Sequence, residues 1–124
     1  MNNTKLLQTL QKSGLSEKSA SVYMSLLNSG GAFPSKVALQ TKIKRSTVYN
    51  ILADLSIKGL VSEIEKNKKY FYTIEHPRRL IAFSNRKIKN AEQEYETLKD
   101  LLPELVGLYA GSPNKPKVSY FEGI

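Results

Sequence analysis

A stretch of seven residues near the middle of the chain concentrates groups that suit contacts with phosphates and base edges. It contains two cations, three hydroxyls and an amide, carried by Lys44, Arg45, Ser46, Thr47, Tyr49 and Asn50. A guanidinium can bind guanine through two hydrogen bonds, and a carboxamide can bind adenine in the same way. We therefore expect Arg45 and Asn50 to read bases, and the three hydroxyl groups to hold phosphates.

Two of these assignments have a purely structural alternative. Ser46 or Thr47 can serve only as the N-cap of a helix, because a hydroxyl there accepts a backbone N–H. Tyr49 can be half-buried packing, with an apolar ring and a polar tip. The residue types alone do not decide between these interpretations.

The element that must position these groups is a helix. Its apolar residues recur at i, i+3, i+4 and i+7, namely Val48, Ile51, Leu52 and Leu55. Gly59 stands at the C′ position expected after its last turn. At 100° per residue, Ser46, Asn50 and Ala53 fall opposite the apolar stripe. The spacing predicts a helix with one buried face and one small, polar outer face.

Two helices are predicted upstream, within residues 4–29. Gly14 ends the first, Ser16 caps the second, and Gly30 with Gly31 closes it. Both are amphipathic and predict a helical core against which the central helix packs.

A third, short helix is predicted from Pro34 and Ser35 to about Thr41, with Ser35 as its cap. The same position suits a phosphate contact through the hydroxyl and the backbone N–H. A turn of about three residues then leads to the central helix. Two helices separated by a tight turn predict a helix-turn-helix arrangement.

Residues 60–74 alternate with a period of two, which predicts a β-hairpin. Asn67 is the natural turn residue, and the tip is basic through Lys66, Lys68 and Lys69. These lysines are expected to follow the nucleic-acid backbone or the adjacent minor groove. Alternatively, they form an ordinary solvated loop that protects an exposed strand edge. A hairpin directly after a helix-turn-helix predicts the winged helix-turn-helix fold, mainly α with a small β-hairpin.

A long amphipathic stretch follows the hairpin, and Pro77 suits the first turn of its helix. Positions spaced alternately by three and four residues form a heptad seam of Ile81, Ser84, Ile88, Ala91, Tyr95, Leu98, Leu102, Leu105 and Tyr109. This seam predicts dimerisation through a coiled coil, or alternatively a helix that buries the seam against its own domain. Pro103 predicts a kink or restart of the helix near residues 99–102.

Composition narrows the functional classes. The chain has 124 residues and a formal charge of +8, and residues 1–76 hold 11 basic against 5 acidic side chains. A basic balance favours polyanions without separating DNA from RNA or from an anionic membrane. There is no cysteine, and no apolar run approaches the roughly 20 residues of a membrane span.

An enzyme finds little support in the motifs. The single histidine, His76, precedes Pro77 at a predicted strand-to-helix turn, without a second histidine or a cysteine to build a metal site. No glycine-rich phosphate loop or nucleophile elbow occurs. We therefore expect a cytoplasmic protein that is not an enzyme, with no cofactor and no metal.

The segments GLSEKSASVYMSLL, KRSTVYNIL, KGLV and YFEGI together resemble the N-terminal part of TrmB-like transcriptional regulators. The resemblance implies a winged helix, a dimerising coiled coil and a following domain that binds sugars or other effectors. It assigns DNA contact to Arg45, Ser46, Thr47, Tyr49 and Asn50. Phe33 and Pro34 depart from the more usual polar entry to the third helix.

The expected organisation has three parts. Residues 1–76 form a winged helix-turn-helix DNA-binding domain, residues 77–110 a long dimerisation helix, and residues 111–124 a linker and the first strand of an absent effector domain. We expect a homodimer that binds double-stranded DNA at an inverted repeat and responds to a small molecule only through that absent domain. The alternative is a winged-helix module that binds a protein partner and contacts DNA weakly or not at all.

Overall fold

The computed structural model of the protein describes residues 3–113, with side chains from residue 4 onward. It contains five helices and one hairpin in these residues, in the order α1 (Asn3–Lys12), α2 (Glu17–Ser29), α3 (Pro34–Thr41), α4 (Arg45–Ile57), β1 (Val61–Lys66), β2 (Lys69–Ile74) and α5 (Arg79–Ala110). The strand predicted in KVSYFEGI lies outside the described residues, as does the end of the linker before it.

The helix-turn-helix core forms where the apolar periodicity predicts it. The four apolar residues of the α4 stripe are buried, together with Val22 and Leu26 of α2 and Val37 of α3. Ser16 caps α2 by accepting the Ser19 N–H at 3.1 Å. The left-handed Gly30 ends that helix. These features confirm the predicted ends of α2 and the buried face of α4.

The hairpin packs on this core as the wing. Its strands are antiparallel, with Val61 opposite Ile74 at the base and Lys66 opposite Lys69 at the tip. A short bridge adds Ala32 to the outer side of β2, through two 2.9 Å hydrogen bonds with Tyr72. The arrangement is a winged helix-turn-helix, as the sequence predicts.

Two helix starts differ from the sequence prediction. The N-cap of α3 is Phe33, without a side-chain hydrogen bond, so Ser35 lies inside the first turn and does not cap the helix. Pro34 explains this start, because proline has no N–H that would need a cap. The last helix begins at Arg79, because Pro77 and Arg78 form a turn.

Helix α5 is continuous through Pro103 and does not restart there. Proline removes one hydrogen bond, to the carbonyl of Lys99. That residue is exposed, so water can satisfy the carbonyl. The chain divides into two compact units, Met1–Lys87 and Ile88–Ile124, so the early turns of α5 belong with the winged domain. The predicted boundary after residue 76 stays a prediction.

Candidate nucleic-acid interface

The outer face of α4 is open to solvent. Ser46, Asn50 and Ala53 are exposed, opposite the buried stripe, and Tyr49 is 47% exposed. Thr47 is half-buried at the edge of this face. The burial pattern therefore leaves small and polar groups accessible along the first two turns of the helix.

The turn before α4 is held without help from the helix's own hydroxyl groups. Thr41 Oγ1 donates to the carbonyl of Val37 at 2.7 Å and accepts the Ile43 N–H at 3.3 Å. Lys44 is the N-cap of α4 and makes no side-chain cap hydrogen bond. Ser46 and Thr47 therefore do not act as N-caps, and their hydroxyl groups lie within the helix.

A cleft of about 550 Å³ lies between the start of α4 and the tip of the hairpin. Six of the predicted site residues line it, namely Ser35, Arg45, Tyr49, Lys66, Lys68 and Lys69. The structure thus brings together residues from α3, α4 and both strands. Lys44, Ser46, Thr47 and Asn50 do not line the cleft and belong to the neighbouring surface of α4.

Four further residues line the cleft that were not among the predicted site residues, namely Phe33, Pro34, Asn67 and Tyr70. Tyr70 is two residues from the buried Tyr72 and so shares its side of the strand. The alternation of side chains along β2 was therefore the sequence feature that could have indicated the position of Tyr70. For Phe33 the sequence offered only the departure from the usual polar entry to α3.

The hairpin tip is a two-residue turn in which both residues have positive φ. Asn67 has φ 50° and Lys68 has φ 64°. This is the conformation of a type I′ turn, whose twist matches that of the flanking strands. The turn carries Lys68 at its most distal point, between the paired Lys66 and Lys69.

Tyr72 of β2 anchors the hairpin to the core. Its hydroxyl donates to Glu63 Oε2 at 2.5 Å across the hairpin, and its side chain is buried. Burial first, and the hydrogen bond to Glu63 second, raise the pKa of Tyr72 above its ordinary value. The phenol is therefore a neutral donor at physiological pH, and it engages one of the two acidic side chains of β1.

A second cavity, of about 470 Å³, lies among α1, α2 and α3. Its lining has no charged residue and consists of Leu7, Ser21, Met24, Ser25, Asn28, Ser29, Gln40 and Thr41. Ser25 Oγ already donates to Gln40 Oε1 at 2.7 Å. Without a cation, this cavity does not suit a polyanion, in contrast to the cleft beside the hairpin.

Eight of the nine seam residues of α5 are exposed in the single chain, and Ser84 is half-buried. The exposed ones are Ile81, Ile88, Ala91, Tyr95, Leu98, Leu102, Leu105 and Tyr109. In the early turns of the helix the inward residue is Phe83, which is 6% exposed, whereas Ile81 is 73% exposed. Most of the apolar surface of α5 is thus uncovered by the described residues of its own chain.

Within residues 3–113, no group of acidic or histidine side chains is arranged to hold a metal ion. The same residues contain no helix both long and apolar enough to cross a membrane. The described residues therefore form a winged helix-turn-helix fold with a basic cleft beside the wing.

A family profile described as "Sugar-specific transcriptional regulator TrmB" matches residues 10–78. The match covers more than half of the chain, and the protein therefore belongs to the TrmB family of DNA-binding transcriptional regulators. No curated protein matches the chain in sequence.

Solved structures support the fold. The archaeal chromatin protein TrmBL2, described as showing a novel mode of DNA binding, matches with a TM-score of 0.76 at 22% identity, over 97% of this chain and 49% of its own. A possible transcriptional regulator from Methanosarcina mazei has a TM-score of 0.56 at 17% identity, over 81% of this chain and 88% of its own. The regulator Tm0710 from Thermotoga maritima has a TM-score of 0.50 at 17% identity, over 82% of this chain and 80% of its own. The chain spans about half the length of TrmBL2.

Proposed function

We propose that the chain binds double-stranded DNA sequence-specifically as a homodimer and regulates transcription. One observation carries this proposal: Arg45 and Tyr49 of α4 line the same cleft as the lysines of the hairpin tip. A duplex presents its bases in a groove and its phosphates beside that groove, so a reader needs both kinds of group on one surface.

In the proposed mode, α4 enters the major groove with its first two turns. The small outer residues allow the helix to approach closely, while the buried stripe anchors it to the domain. Arg45 and Asn50 supply the hydrogen bonds that distinguish bases. Ser35, Ser46, Thr47 and Tyr49 hold phosphates, and the wing lysines neutralise the backbone next to the groove.

Dimerisation is proposed through the exposed seam of α5. A row of apolar residues at heptad spacing loses contact with water when a second copy packs against it. A two-fold dimer presents two recognition helices related by symmetry, so the DNA site should be an inverted repeat. The proposal assigns catalysis to no residue and places the protein in the cytoplasm.

The matched family is described as sugar-specific. We assign a sugar response to a following effector domain and not to the residues described here. This assignment rests on the family description.

A second candidate is a module that binds a protein partner. Leu39 and Ile57 favour it, because they are 80% and 84% exposed and neither lines the basic cleft. Two isolated apolar side chains are nevertheless ordinary for a protein surface. The DNA-binding proposal therefore accounts for more of the observations.

Selection of bound sequences from a random DNA pool, followed by salt titration, separates the two. We expect an enriched inverted repeat, and log K that falls by about 0.9 per phosphate contact with log salt. The enriched site should bind more tightly than random DNA at the same salt concentration. If no sequence were enriched and all sequences of the pool bound weakly and equally, the regulator proposal would be rejected in favour of the protein-binding module.

A further inference from the structure

Phe71, on β2 of the wing, makes three contacts that none of the predicted functions uses. Its ring meets the ring of Phe33 edge-on, with centroids 5.0 Å apart and an interplanar angle of 78°. The ammonium group of Lys66 lies over the same ring, 4.2 Å from its centroid. The ring edge also lies against Gly31, where an added Cβ would be 2.8 Å from Phe71 Cε2.

The Phe33 side of this contact is fixed to the helix-turn-helix core. Phe33 is the N-cap of α3, and its carbonyl accepts the N–H groups of Lys36 at 3.0 Å and Val37 at 3.2 Å. The preceding Ala32 is bridged to Tyr72 by two hydrogen bonds. The Phe33 ring is therefore set by a helix end and a strand bridge, and the Phe71 ring rests on it.

The hairpin needs such a support because its tip has few other contacts. All residues from Glu63 to Tyr70 are exposed, and an isolated two-stranded hairpin is only marginally stable in water. Three of its tip residues are lysines, whose like charges repel one another. A cation held over an aromatic ring offsets part of this repulsion.

We propose that Phe33 and Phe71 are positioning residues, which hold the hairpin tip beside α4 so that its lysines meet a DNA backbone. Phe33 supports Phe71, and Phe71 in turn orders the strand and holds Lys66. The number of phosphates that the wing neutralises thus depends on an uncharged aromatic pair. This inference rests on the proposed DNA binding, but its structural part is testable without DNA.

The test uses the full chain with Phe33→Leu, which removes the ring and keeps an apolar side chain. Phe33→Tyr retains the ring and is the conservative rescue, while Lys68→Gln removes one charge and leaves the aromatic pair intact. Backbone ¹⁵N order parameters of residues 64–71 are measured in the free protein. The slope of log K against log salt is then measured on one duplex, with folding checked by circular dichroism.

We expect Phe33→Leu to lower the order parameters at the tip and to reduce the salt slope by about two units per bound protomer, although the net charge is unchanged. Phe33→Tyr should restore both values. Lys68→Gln should reduce the slope by about one unit and leave the order parameters as in the wild type. Phe33→Met replaces the leucine variant if that variant does not fold.

A folded Phe33→Leu protein with the order parameters and the salt slope of the wild type would overturn the inference. A wild-type protein that binds no duplex would reject the proposed function instead. In that case only the order parameters test the positioning role. Lower values at the tip of the Phe33→Leu protein support this role, and unchanged values overturn it.

Discussion

Arg86 Nη2 donates a hydrogen bond to the backbone carbonyl of Lys58, 2.9 Å away, and so joins α5 to the C-terminal end of α4. Phe83 lies buried beside this contact, and the ammonium groups of Lys58 and Lys87 lie 6.0 Å and 5.7 Å from its ring centroid. A cation at the carbonyl end of a helix is favourable, because that end carries partial negative charge. Helix α5 therefore holds the C-terminal end of α4, whereas the N-terminal end of α4 faces the cleft.

Arg86→Gln should lower the free energy of unfolding by about 1 kcal/mol, because it removes a charged hydrogen bond to a helix end. Urea unfolding at fixed protein concentration measures the change. Lys89→Gln is the control, since it removes the same charge from an exposed position on the same helix. Equal losses for the two variants would show that the Arg86 contact adds nothing specific.

Lys68→Gly should raise the stability of the protein by about 0.5–1 kcal/mol and weaken its binding to DNA. Lys68 has φ 64°, a conformation that costs little for glycine and about 1–2 kcal/mol for other residues. Thermal unfolding and DNA titration measure the two effects. Lys68→Ala is the control, because it loses the same charge but keeps the β-carbon, and it should be less stable than the glycine variant. A glycine variant less stable than the alanine variant would contradict the argument from turn geometry.

Arg45→Ala and Lys68→Ala should weaken DNA binding in different ways. Loss of a guanidinium that reads a base should cost about 1–3 kcal/mol on the selected site and relax the preference at one base position. Loss of the wing ammonium should weaken binding to all sequences alike and reduce the salt slope by about 0.9. Titration of each variant against the selected site and random DNA measures both. If Arg45→Ala lost the same affinity on both DNAs, base reading by Arg45 would be ruled out.

Leu98→Lys should shift the proposed dimer towards monomer, because it places a charge in an apolar seam. Sedimentation equilibrium over a range of concentrations measures the dissociation constant. Gln93→Lys adds the same charge at an exposed position outside the seam and should leave the dimer intact. A Leu98→Lys protein that associates like the wild type would exclude this seam as the dimer contact.

Tyr72→Phe should lower the free energy of unfolding at pH 8. The difference in this free energy between the variant and the wild type should become smaller above pH 10. The raised pKa of Tyr72 means that the folded protein keeps the phenol proton while the unfolded chain loses it near pH 10. The wild type thus loses stability in this range, by up to about 1.4 kcal/mol per pH unit, and the variant lacks this loss. Urea unfolding of both proteins at pH 8, 10 and 11 measures the difference. A deficit that stays constant with pH would contradict the raised pKa.

The sequence by itself determined the secondary structure of the winged domain and the side of α4 that faces outward. Spacing was sufficient there, because burying one face of a helix demands apolar residues every three or four positions, as at Val48 and Leu52. The glycine at position 30 and the cap at Ser16 fixed helix ends through local backbone chemistry, which does not depend on the rest of the fold. The alternation of residues 60–74 with a period of two predicted the hairpin and placed its lysines at the tip.

Only the tertiary structure decided which of these groups share a surface. The cleft brings together Ser35, Arg45 and Lys68 from separate elements. The spacing of these residues in the sequence does not indicate that they lie close together. Phe33 was visible only as a departure from a pattern, because its partner Phe71 lies 38 positions further along the chain. Contacts between distant segments depend on how the elements pack in three dimensions, and periodicity carries information only along a single element.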